Sequence, residues 1–336
     1  MSNAKNNQFL ISHDFFGEEI SVDISKVFPV VIMATMSCGK STLINSLLGK
    51  DILPSRNEAC TAKVYSILDN DDDALTKVFL TYKNGDVSTV TENISDALNM
   101  ANQCDDITQI TISGQIRGVL NTKKTLLIVD TPGTNNSIDK SHEKITKKVL
   151  RKVKGGLVLY VINAEQMGIN DDRALLIDLR EYLDKHKNVS VLFVVNKVDS
   201  IDTEKESLED FLFDIKKYLN DCGFASPEIL PVSALAANLF NKVLAGESLT
   251  KKQSRSFEYV FELYKPNGLN LVSYAITRDY PTQYHFVEVN GKKYRVSDIV
   301  GALTNTGIPY LERFIQNAQI HSSTSSKVKV NINKES

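Results

Sequence analysis

Residues 34–41, ATMSCGKS, set Gly39, Lys40 and the Ser41 hydroxyl in succession between an apolar run and the segment STLINSLLG. In that order these types suit the binding of a di- or triphosphate. The backbone N–H groups of Thr35, Met36, Ser37, Cys38, Gly39, Lys40, Ser41 and Thr42, with the positive end of the following helix, cradle phosphate oxygens. Lys40 reaches the β- and γ-phosphates and Ser41 ligates Mg²⁺. The pattern G-x-x-x-x-G-K-[ST] asks for glycine where Ala34 stands. Alanine costs about 1 kcal/mol or more there only if the position needs positive φ, so the substitution is expected to be tolerated. On the loop alone, a strand-turn-helix without a ligand stays open.

Four further stretches supply what such a loop needs. DTPG (130–133) offers the Asp130 carboxylate to Mg²⁺ through water and the Gly133 amide to a γ-phosphate. NKVD (196–199) offers Asn196, Lys197 and Asp199 to a base. Asp199 can accept from two guanine nitrogens, which adenine does not present in the same pattern, and a polar mismatch of this kind is worth up to ~10⁴ in specificity. In PVSALAA, Ser233 and Ala234 suit the guanine oxygen; in RNEACTAKV, the Thr61 hydroxyl can close on Mg²⁺ when a γ-phosphate is present. Five elements in this order are the signature of a guanine-nucleotide switch domain.

Each must sit at the carboxyl end of a strand or in the adjoining loop. Short apolar runs at 29–34, 125–130, 156–163, 189–196 and 228–233 read as buried strands, and they alternate with helical stripes such as Leu175, Leu176, Leu179 and Leu183. That alternation predicts an α/β fold, a mostly parallel sheet with helices on both faces, and the five motifs make the expected fold that of a P-loop GTPase. Asn84-Gly85 between alternating runs predicts an antiparallel edge hairpin, followed by a short helix near 95–104.

The expected division is an N-terminal extension (1–24), a GTPase core (25–235), an inserted α+β segment (236–306) with a second hairpin at Asn290-Gly291, a closing helix (307–320) and a disordered tail (321–336). Net charge −2 gives no bulk attraction to nucleic acid or anionic membrane. Four cysteines without C-x-x-C spacing favour a reducing cytosol, and no apolar run approaches the ~18 residues of a membrane span. Cys38 reads as a small space-filling residue, with oxidant sensitivity the alternative. The basic helix KITKKVLRKVK (144–154) reads as a solvated face, with an acidic partner or lipid surface the alternative.

Through TMSCGKSTLINSLLGKDILPSRNEACTA (35–62), DTPGTNNS and NKVD, the sequence resembles a bacterial dynamin-like GTPase over roughly residues 25–320, near the large clamp-binding type. The resemblance implies hydrolysis of GTP to GDP and phosphate with Mg²⁺ held by Ser41, Thr61 and Asp130. It implies a catalytic set of Ser37, Lys40, Thr61 and Gly133, with a monovalent cation beside Ser37 and Thr61 orienting the water. It further implies nucleotide-dependent pairing of two GTPase domains, a helical dynamin-like partner, and a cytoplasmic protein with peripheral membrane association.

Three departures bear on this. Met36 stands where dynamins usually place glutamine, and Asn135 where they often place threonine. The flanks are too short for a helical bundle, so the chain is read as a short relative or an excised GTPase domain. The rival reading is a nucleotide-switched adaptor with negligible turnover. An Era-type ribosome-associated GTPase ranks last, because no basic RNA-binding module is evident.

Overall fold

The apolar runs pair side by side in a computed structural model, which describes residues 26–53, 64–71, 76–121, 124–131, 155–166, 170–202, 205, 207–271 and 286–322. The strands of the main sheet are β1 (Val27–Met33), β2 (Val64–Asp69), β3 (Lys77–Tyr82), β4 (Val87–Val90), β5 (Ile107–Gly114), β6 (Thr125–Asp130), β7 (Gly156–Asn163), β8 (Val189–Asn196) and β9 (Ile229–Pro231). Their order is β4-β3-β5-β2-β6-β1-β7-β8-β9. From β6 to β9 all neighbours are parallel, whereas β2 runs antiparallel to β6, β5 parallel to β2, and β3 antiparallel to both β5 and β4. The central strands carry unbroken apolar runs because helices cover both faces; in β1, Val30, Val31, Ile32 and Met33 are all fully buried.

The covering helices are α1 (Lys40–Leu48), α2 (Ile94–Gln103), α3 (Asn170–Lys185), α4 (Leu208–Asp221) and α5 (Ala234–Leu244). The stripe Leu175, Leu176, Leu179 and Leu183 is buried, as are Phe211, Ile215 and Leu219 of α4. Ser207 caps α4 by accepting from the Asp210 N–H, which fixes where that helix starts.

Both Asn-Gly dipeptides make hairpins, of different kinds. In the β3–β4 turn only Gly85 has positive φ (91°), and the Tyr82 N–H donates to Asp86 O at 2.9 Å across a longer loop. After α6 (Lys251–Tyr264), strands β10 (Phe286–Val289) and β11 (Lys292–Arg295) are joined by Asn290 and Gly291, at φ 53° and 76°. Positive φ at both central residues makes this a type I′ turn, whose twist matches that of the strands. Then follow α7 (Val296–Asn305) and α8 (Ile308–His321), the latter with Pro309 in its first turn.

The part beyond β9 shares the same core. Asn241 on α5 donates to Ser46 O on α1 at 3.2 Å, and Phe240 meets Phe257 and Phe261 of α6, which meet Tyr294 of β11. A boundary drawn after residue 235 therefore falls inside α5.

Candidate functional site

β1 delivers residues 34–41 to the carboxyl edge of the sheet. Positive φ falls at Ser37 (61°) and Gly39 (81°) and not at Ala34, which is buried at the strand end. Alanine in place of the pattern's first glycine is therefore unstrained. Gly39 is constrained twice, because besides its left-handed φ an added Cβ would lie 2.6 Å from Asn196 Nδ2. Met36, Lys40, Ser41 and Thr42 are half-buried and Ser37 is exposed. No side chain caps α1, so its first-turn N–H groups stay available to an anion. Cys38 is buried with its Sγ 3.1 Å from Thr35 Oγ1. Burial pushes its thiol up in spite of Thr35 and Lys40, so the side chain fills space and the alternative of an activated thiolate has no support.

Asp130 ends β6 directly beside β1, in register with Ile32. Its side chain is 8% exposed, and Oδ1 has no hydrogen-bond partner among the described residues. Burial raises its carboxyl to about 6, with Lys40 drawing it the other way. An orphaned carboxylate oxygen beside a half-buried lysine at a strand end fits a divalent cation and its hydrating water. The next residue, Thr131, anchors this end by donating from Oγ1 to Ile32 O at 2.8 Å. Thr61, Gly133, Asn135 and the basic segment 144–154 lie outside the described residues.

At the end of β8, Asn196 joins three loops. Its Nδ2 donates to Cys38 O at 2.9 Å, and its Oδ1 accepts from the Ala234 N–H at 3.1 Å. The phosphate-loop backbone is thereby tied to both base-reading segments. The Ala234 N–H, expected to face a guanine oxygen, is engaged by Asn196 in this arrangement. Lys197 has φ 66° and pairs with Glu165 Oε2 at 2.7 Å. Asp199, in a 3-10 turn (Val198–Ser200), accepts from Ser233 Oγ at 2.5 Å. Burial pushes the Asp199 carboxyl up, and the Ser233 hydroxyl opposes that. Ser233 also caps α5 by accepting from the Ala236 N–H. Glu165 was not legible as a site residue, since a lone acid after a strand carries no pattern.

A sequence model of the dynamin family matches residues 30–198, half of the chain. The chain belongs to the dynamin family. A relative in Caldicellulosiruptor sp. (strain Rt8B.4), an uncharacterized protein in the xynA 3′ region, is 27% identical over 232 residues, 67% of this chain and 53% of that protein. This dynamin-family chain thus spans about half the length of the curated relative it matches. Among solved structures, a chain of an oligomerised bacterial dynamin pair, described as providing a mechanism for long-range sensing and tethering of membranes, is similar at 23% identity and TM-score 0.49. That match covers 70% of this chain and 38% of the other. Era of Aquifex aeolicus, bound to GDP and aluminium fluoride, is similar at 21% identity and TM-score 0.34, over 62% of this chain and 52% of Era.

Proposed function

We propose that this dynamin-family protein binds GTP with Mg²⁺ and hydrolyses it to GDP and phosphate by direct attack of water. The observation that carries the reading is the Asn196 amide, which joins Cys38 of the phosphate loop to Ala234 of the base loop and so sets phosphate and base recognition at a fixed separation. Backbone N–H groups of residues 35–42 hold the phosphates. Lys40 neutralises charge on the β- and γ-phosphates, and Asp199, steadied by Ser233, accepts from the two guanine nitrogens. Lys197 and Ala234 border the base site, with the Ala234 N–H held by Asn196. Mg²⁺ would be held by Ser41, Thr61 and, through water, Asp130, and would neutralise charge on the transferred phosphate.

Thr61 would orient the water, and Ser37, which is exposed, would stand beside a monovalent cation that helps neutralise the developing charge. Charge stabilisation completed by an added element is worth ~10³ to 10⁵ in rate, so a single copy hydrolyses slowly and pairing through the GTPase domain accelerates it. The GTPase core begins at residue 25 and runs into α5, past the expected boundary at 235, with an inserted segment up to 306 and the closing helix over 307–320. The protein acts in the cytoplasm, with peripheral membrane association and a helical dynamin-like partner. No helix among the described residues is long and apolar enough to cross a membrane.

Calorimetry with Mg²⁺ present should show binding of GTP and GDP and none of ATP. Single-turnover hydrolysis at several protein concentrations should give a rate per site that climbs with concentration. A flat profile near zero, with binding intact, leaves the switched adaptor instead. Equal binding of adenosine nucleotides overturns both.

A further inference from the structure

The base-reading pair Asp199–Ser233 is gripped from behind by a segment outside the stretch that matches the dynamin family, residues 30–198. Tyr259, on α6, donates its hydroxyl to Asp199 O at 3.2 Å. One turn and a half further along the same helix, Tyr264 is fully buried, and its hydroxyl lies close to Ser233 and within electrostatic reach of Asp199 and Tyr259. That hydroxyl has no hydrogen-bond partner among the described residues. The helix end is itself held, because Asn305 Nδ2 donates to Tyr264 O at 3.0 Å. Directly after it, Thr306 O accepts from the Ser233 N–H at 3.0 Å, and Thr306 is fully buried. The Asp199 turn therefore has its side chain fixed by Ser233 and its backbone fixed by Tyr259, while Ser233 is fixed in turn from the α7–α8 junction.

We infer that Tyr259 is a positioning residue for guanine recognition: its hydrogen bond to the Asp199 backbone, on a helix stiffened at Tyr264, holds the carboxylate at the angle that lets both oxygens meet the base. The inference rests on the reading of the site as a guanine-nucleotide site and deepens it. The physical reason is angular. A carboxylate that accepts from two neighbouring N–H groups of one purine edge must be coplanar with that edge, and a half-exposed 3-10 turn of three residues lacks the stiffness to enforce this by itself. One that accepts from a single N–H tolerates a wider range of orientations. Tyr259 is 58% exposed, so it contributes little to the core and its removal leaves folding intact.

The test compares GDP with inosine diphosphate, which keeps the ring N–H but lacks the exocyclic amine. Affinities of both nucleotides for the full chain and for Tyr259→Phe are measured by calorimetry with Mg²⁺ present, together with Tm. Loss of one hydrogen bond of ordinary net strength should weaken GDP by about fivefold while inosine diphosphate changes by less than about twofold, and Tm should hardly move. Tyr259→Ala should match Tyr259→Phe, because the hydroxyl and not the ring does the positioning. An unchanged preference for GDP over inosine diphosphate in Tyr259→Phe overturns the inference while leaving the proposed function standing. Equal weakening of both nucleotides also overturns it, since that is what a merely structural loss produces. If the unmodified protein binds neither nucleotide, the reading of the site fails and the inference with it.

Discussion

The phosphate end and the base end of the candidate site are built on different principles. Around Ala34–Thr42 the groups on offer are backbone N–H groups and one lysine, all from a single stretch between β1 and α1. Around Asp199 it falls to side chains brought from β8, the start of α5 and α6, with Thr306 behind them. The first can be specified by a short contiguous pattern, because its donors belong to the chain itself. The second exists only when segments more than a hundred residues apart in sequence are packed together, as Asn196 and Thr306 are around Ser233.

The two ends are told apart most strongly by removing the Asp199 carboxylate. Asp199→Ala should abolish the preference for guanosine over adenosine nucleotides, an effect of up to ~10⁴, while inorganic polyphosphate competes as well as before. Competition binding reads both, and a loss of polyphosphate binding would show that the two ends are not separable. Gly39→Ala acts where they touch. It forces a side chain into left-handed φ and against Asn196 Nδ2, so strain of about 1–3 kcal/mol should lower stability and weaken phosphate and base binding together. Thermal unfolding and nucleotide titration check this; a variant that loses phosphate affinity alone would mean that Asn196 does not couple the ends.

The effect expected to reach nucleotide binding least lies at the opposite edge of the sheet, where Asp69 ends β2. Like Asp130 it is buried with one carboxylate oxygen unpartnered among the described residues. Its other oxygen accepts from the Ile116 N–H at 2.8 Å. Burial raises its carboxyl to about 7, the Ile116 N–H works against that, and Asp71 adds to the rise. Here the folded state binds the proton more tightly than the unfolded chain. The contribution of Asp69 to stability is therefore fully present below about pH 4 and is lost as pH rises to about 7, by at most ~1.4 kcal/mol per pH unit. Asp69→Asn should flatten that part of the profile in denaturant titrations and leave nucleotide affinity unchanged, whereas a shift in affinity would mean that the edge far from the phosphate loop reaches the site.

Much of this was legible beforehand, for reasons that differ by element. Four of the five expected central strands, β1, β6, β7 and β8, lie inside the sheet as apolar runs covered on both faces, so neither register nor neighbours had to be known to find them. The fifth, β9, is a three-residue edge strand ending in Pro231. The two hairpins were legible from Asn84-Gly85 and Asn290-Gly291, but the kind of turn was not. The same dipeptide makes a type I′ turn between β10 and β11 and a longer loop between β3 and β4, where Asn84 Oδ1 instead accepts from the Asp86 N–H at 3.1 Å. Ala34 was an open question in one dimension and is closed in three, since its φ is not positive.

The sequence by itself determined that buried strands alternate with helices and where the phosphate loop lies between them, because those depend on residue type and on spacing within one segment. Only the tertiary structure decided what stands beside Lys197, which residue braces the Asp199 backbone, and that Gly39 must stay bare beneath Asn196. Such pairings join positions that lie far apart along the chain, and no local periodicity or propensity records a distance that only packing creates.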